Sequence, residues 1–87
     1  MLHILVNFSH KETRLVEQSF SAELDNMVKN DFGHFTDSHY TLCRISYTEL
    51  LITIDLCCIY SMQFANKVVD IASGIKGVMV SSVNFYL

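Results

Sequence analysis

The chain has 87 residues, 51% of them apolar and only 17% charged, and nine Asp and Glu against six Lys and Arg leave a net charge of −3. That length suits one core and a single domain, residues 1–87, and such a domain is marginally stable unless its core is rich or it self-associates. Scattered cations argue against a nucleic-acid backbone as the main partner, and a charge of −3 is far too small for a polyacidic mimic of DNA.

Cys43, Cys57 and Cys58 cannot all pair, and the adjacent two would need a strained bridge, so a reducing, cytoplasmic setting is expected. The N-terminal MLHILVNFSHKE lacks a basic region and a long apolar segment, which predicts no export signal. The most apolar run, Glu49 to Phe64, is shorter than a membrane span of about 18 residues and holds Asp55 at its middle, so no membrane segment is expected.

Taken in chain order, Leu2, Ile4, Val6 and Phe8 alternate with His3, Leu5 and Asn7, the period of a strand with one face on a core. Ser9-His10-Lys11-Glu12 has the S-x-x-E form of a capping box, which predicts a helix from about Lys11 to Asp31 with Val16, Phe20, Leu24, Met27 and Val28 on its apolar stripe. Gly33 is read as its left-handed terminator. Tyr40 to Tyr47 and Leu50 to Cys58 read as a hairpin, since Ile52, Thr53 and Ile54 favour strands, although Tyr47-Thr48-Glu49 carries no tight-turn signature. A competing reading starts one long helix at Ser46, another S-x-x-E, and runs to Gly74; the β-branched cluster opposes it. Tyr60 to Ile75 places Phe64, Ala65, Val68, Ile71, Ala72 and Ile75 on one helical stripe, ended by Gly74 and Gly77. The last strand, Val78 to Leu87, changes parity between Val80 and Val83, which a bulge at Ser81-Ser82 would reconcile.

The order βαββαβ predicts an α+β fold, a two-layer ferredoxin-like sandwich with a four-stranded antiparallel sheet and both helices on one face. In that arrangement the second sheet face is uncovered. It would carry His3, Leu5 and Asn7 from the first strand and Leu51, Thr53, Asp55 and Cys57 from the third, with either Tyr40, Leu42 and Arg44 or Thr41, Cys43, Ile45 and Tyr47 beside them. Such a mixture suits a moderately polar protein interface. RNA-recognition modules share the element order but stack bases on central-strand aromatics, and the exposed positions of these central strands hold none.

Chemistry-bearing patterns are sparse. His34, His39 and Cys43 lack the tight spacing of zinc ligand pairs, so no metal site is assigned. Cys57 and Cys58 would point to opposite faces, have no cation nearby in sequence, and read as small hydrophobes. No G-x-S-x-G or phosphate loop occurs, and no glycine between the first strand and first helix would admit a phosphate. Neither a catalytic set nor a cofactor is expected. Glu12, Glu17, Glu23, Asp25 and Asp31 give the first helix an acidic face that could dock a basic partner.

The reading is a non-enzymatic interaction module that forms a homo-oligomer through its sheet face or edges and binds a protein partner. A small accessory inhibitor from a virus or mobile element would have these properties. One alternative is an RNA-binding protein using Lys11, Arg14, Lys29, Arg44, Lys67 and Lys76; another is a regulatory domain with a small molecule at a dimer interface.

Overall fold

A computed structural model describes residues 1–33, 40–56 and 59–86. Its elements run β1 (Leu2–Phe8), α1 (Thr13–Asp31), β2 (Tyr40–Ser46), β3 (Glu49–Ile54), α2 (Ile59–Gly74) and β4 (Val78–Phe85). The strands form one antiparallel sheet in the order β2-β3-β1-β4. This is the α+β ferredoxin-like sandwich that the alternation and helical stripes predict. Glu49–Ile54 is a strand, which removes the reading of one long helix from Ser46.

The core lies between the helices and one sheet face. Leu2, Ile4 and Val6 of β1 pair across to Ile54, Ile52 and Leu50 of β3, and these six and Phe8 are buried. From above, α1 adds Val16, Phe20, Leu24 and Met27, and α2 adds Phe64, Ala65, Val68 and Ala72. Each Val, Leu, Ile, Phe or Met side chain among them contributes roughly 1.5–3 kcal/mol when fully buried, and the two alanines less. Phe20 meets Phe8 edge-on with ring centroids 5.9 Å apart. Phe64 lies between Phe32, 5.5 Å away, and Tyr40, 4.9 Å away, so one α2 side chain holds both the end of α1 and the start of β2.

The bulge in β4 is present. Leu5 pairs with Ser82 but the next residue, Val6, pairs with Val80, leaving Ser81 as the extra residue. This puts Val78, Val80, Val83 and Phe85 on the helix-facing side, opposite Phe8, Val6, Ile4 and Leu2. The side chain of Asn7 donates to the Ser81 hydroxyl and pins the bulge to β1. The β2–β3 hairpin closes through Tyr47-Thr48 with a second irregularity between Arg44 and Ser46. No non-glycine residue among those described has positive φ, so the turn is not of the mirror-image type, consistent with its lack of an Asn-Gly signal.

Local expectations fail in four places. Helix α1 begins at Thr13, with Glu12 as N-cap and no side-chain capping bond, so the Ser9 to Glu12 box does not form. The Ser9 amide that Glu12 would have reached already donates to Gly77 O at 2.7 Å, and the Thr13 hydroxyl donates to Ser9 O instead. Gly33 does not adopt the left-handed conformation, and Gly77 does, at φ 92°; α1 ends through the Phe32 amide donating to Val28 O. Strand β3 ends at Ile54, short of the expected end, and just beyond it the Ser61 hydroxyl donates to the Asp55 carbonyl at 2.8 Å; Cys57 and Cys58 lie outside the described residues. Finally, β4 ends at Phe85, and Leu87 lies outside the described residues.

Candidate interface on the open sheet face

The registers fix which side chains share the uncovered face. His3 sits opposite Thr53 and Leu5 opposite Leu51, with Asn7 opposite Glu49. Thr41 and Cys43 flank Thr53 and Leu51 from β2, while Asn84, Ser82 and Met79 flank His3, Leu5 and Asn7 from β4. Five expected residues, His3, Leu5, Asn7, Leu51 and Thr53, therefore share one surface. Each is half-buried by its neighbours in the sheet. Asp55 is exposed but lies just past the end of β3, so it sits at the rim rather than in the strand ladder. Cys57 lies outside the described residues, as does Cys58.

At the centre of the face Leu5 and Leu51 form a cross-strand apolar pair, with Met79 exposed toward one edge and Cys43 an exposed free thiol toward the other. Polar groups surround this centre. Glu49, the one carboxylate on these strands, accepts from the Ser46 hydroxyl at 2.8 Å. At the far corner the His3 ring lies against Tyr86, centroids 4.6 Å apart. An apolar centre with a hydrogen-bonding rim is the usual anatomy of a protein interface.

Of the two alternatives for β2, the structure selects Thr41 and Cys43 for the open face. Tyr40, Leu42 and Arg44 pair with Ile54, Ile52 and Leu50, which puts them on the helix side. Ile45 falls at the irregularity, and Tyr47 is in the turn. Met79, Ser82, Asn84 and Tyr86 join the face without having been expected there. The bulge at Ser81 already implied them, since the residues it leaves facing outward follow from those it turns inward.

The six cations do not gather on this surface. Arg44 is the single Lys or Arg within the four strands, and it points to the helix layer, where it pairs with Glu17 and donates to the carbonyls of Ser46 and Tyr47 at 3.2 and 3.0 Å. Arg14, Lys29 and Lys67 are exposed on the helices, and Lys11 and Lys76 lie in the segments before α1 and after α2. The acidic side chains Glu12, Glu23, Asp25 and Asp31 are likewise exposed at the start of α1 or along it. A cleft of about 360 Å³ between α1 and β2 is lined by Thr13, Arg14, Glu17, Arg44 and Tyr47; its Glu17 carboxylate opposes an anion there.

Of the group considered for metal, Cys43 is described and His34 and His39 lie outside the described residues; no cluster of three potential ligands occurs among the described ones. No described helix is long and apolar enough to cross a membrane. Compared with protein-family models, curated proteins and solved structures, the chain matches none of them.

Proposed function

We propose that this chain is a non-enzymatic interaction module that self-associates through its sheet face or edges and binds a protein partner on the open face of its sheet. The observation that carries the reading is the Leu5–Leu51 pair at the centre of a face bearing no Lys or Arg, beside two edge strands with no proline. Burial of the Leu5–Leu51 centre by a partner removes apolar area from water, and the carboxylates of Glu49 and Asp55 lie at the rim, Glu49 already hydrogen-bonded by Ser46. A nucleic-acid strand would instead need cations alongside stacking rings, and the cations of this chain are on and around the helices.

The test pairs light scattering with capture of partners from the native host, analysing protein and nucleic acid together. Wild-type chain is expected to self-associate and to retain a protein that Leu51→Lys loses. Capture unaffected by Leu51→Lys, or salt-sensitive retention of RNA by the purified chain, would overturn the reading.

A further inference from the structure

The edge of β4 presents a specific mismatch between direction and cover. Val83 and Phe85 face the helix side, opposite Ile4 and Leu2, which are 0% and 1% exposed. Val83 and Phe85 themselves are 44% and 61% exposed. The first half of the strand is packed, because Val78 and Val80 rest against the core. The second half is an apolar ledge that the chain's own helices leave open.

The backbone of that ledge is aimed outward. Met1 and Tyr86 exchange both hydrogen bonds, N to O at 2.7 and 2.8 Å. In an antiparallel pair bonded and non-bonded residue pairs alternate, so Asn84 opposite His3 directs its N–H and C=O to β1. Val83 and Phe85 then direct theirs away from β1, to the free edge of the sheet. These two residues thus offer both unmet backbone groups and uncovered side chains.

We propose that a second copy of this chain docks on this ledge, β4 against β4, antiparallel about a two-fold axis at Asn84. This rests on the self-association proposed above and assigns its seam. In that register Val83 of one copy and Phe85 of the other exchange N–H···O bonds, the two-fold repeats the exchange, and the four side chains pack together on the helix side. The copies share one continuous eight-stranded sheet whose open faces run on.

Charge favours a like partner at this place. Residues 77–86, GVMVSSVNFY, contain no Asp, Glu, Lys, Arg or His, whereas the outer surface of α1 carries Glu23, Asp25 and Asp31. Two copies of a chain of net charge −3 meet along this strand without bringing like-charged side chains of the strand together. Edge strands are ordinarily guarded by charge, proline or a bulge; β4 has neither charge nor proline, and its bulge at Ser81 lies before the Val83–Phe85 ledge. Each position is also self-matched, because the axis sets Val83 against Phe85 and Asn84 against its own copy.

Two experiments test the seam together. Light scattering from micromolar to millimolar concentration should show a dimer whose dissociation constant rises about 100-fold or more in Phe85→Lys, with far-UV circular dichroism confirming the fold. In N84C the two thiols would face each other across a non-bonded pair with Cα atoms about 4.5 Å apart, inside disulfide range, so mild oxidation should give a peptide linked 84 to 84 on mass spectrometry. The second arm stands even if Phe85→Lys does not fold. Failure to form that link overturns the seam. A dimer that Thr53→Lys dissociates and Phe85→Lys does not places the seam on the open face, overturning this inference while self-association survives. A strict monomer throughout overturns both.

Discussion

The amide of Ser9 donates to the carbonyl of Gly77 across 2.7 Å, tying the end of β1 to the start of β4 at the place where α1 departs. Gly77 has φ 92°, and a Cβ there would lie 3.1 Å from Val16 Cγ2 and 3.4 Å from Ser9 Cβ. Gly77→Ala should therefore cost about 1–3 kcal/mol from backbone strain and crowding. Gly33, whose φ is not positive and whose added Cβ would lie no closer than 3.7 Å to any described neighbour, should tolerate alanine within about 0.5 kcal/mol. Urea unfolding of both variants checks the pair, and equal costs would contradict this account of the turn.

Phe64 is fully buried and touches rings from two other segments, Phe32 and Tyr40. Phe64→Ala should destabilise by about 3–5 kcal/mol, a large share of the total for a domain of this size. Hydrogen exchange should show added loss of protection at the start of β2, because Tyr40 loses the surface it rests on. Uniform loss across the sheet would mean that Phe64 is ordinary core rather than the anchor of that strand.

Arg44 and Glu17 form an ion pair whose side chains are 45% and 25% exposed. Solvent screens such a pair, so Glu17→Gln should cost only about 0–1 kcal/mol and less at high salt. Arg44→Ala should cost more, since it also strips the Ser46 and Tyr47 carbonyls of their donor. Thermal unfolding at two ionic strengths separates the salt-sensitive part from the remainder.

What could be read from the sequence was what periodicity controls. Alternation in Leu2–Phe8 and the stripes through Phe20 and Phe64 report which side of each element avoids water, and burial follows directly. The Ser81 bulge was legible because a change of parity between Val80 and Val83 cannot be met otherwise within one strand. The ends of elements were not legible, because residues beyond the local motif set them: the Gly77 carbonyl accepts from the Ser9 amide, and the Ser61 hydroxyl donates to the Asp55 carbonyl. Neither partner is visible from a local motif. For the same reason the open face was found only in part: its β1 and β3 residues follow from alternation, whereas choosing between Leu42 and Cys43 on β2 requires the register. The ledge at Val83 and Phe85 depends on how far the helices reach, which no strand pattern encodes.

The lost capping box gives its own test. If Ser9 capped α1, Ser9→Ala would cost about 1 kcal/mol. With its amide held by Gly77 O and no capping bond formed, Ser9→Ala should fall within about 0.5 kcal/mol of wild type. Thr13 is buried and its hydroxyl donates to Ser9 O, so Thr13→Val should cost about 1–2 kcal/mol. Chemical denaturation ranks the two, and the reverse order would restore the box.

Deleting Ser81 probes the bulge and the edge at once. Without it the sequence Val78-Met79-Val80-Ser82-Val83-Asn84-Phe85 alternates cleanly, so every side chain keeps its present face and the strand can run straight beside β1. The cost is the hydrogen bond from Asn7 and some twist, about 1–2 kcal/mol together. A straighter, uncharged edge is also a better template for another strand. The deletion variant is therefore expected to keep its far-UV spectrum, lose a little stability, and associate more strongly than wild type in light scattering. Global unfolding would show instead that the bulge is needed to seat Val80 and Val78 on the core, and unchanged association would show that the bend at Ser81 does nothing to guard the edge.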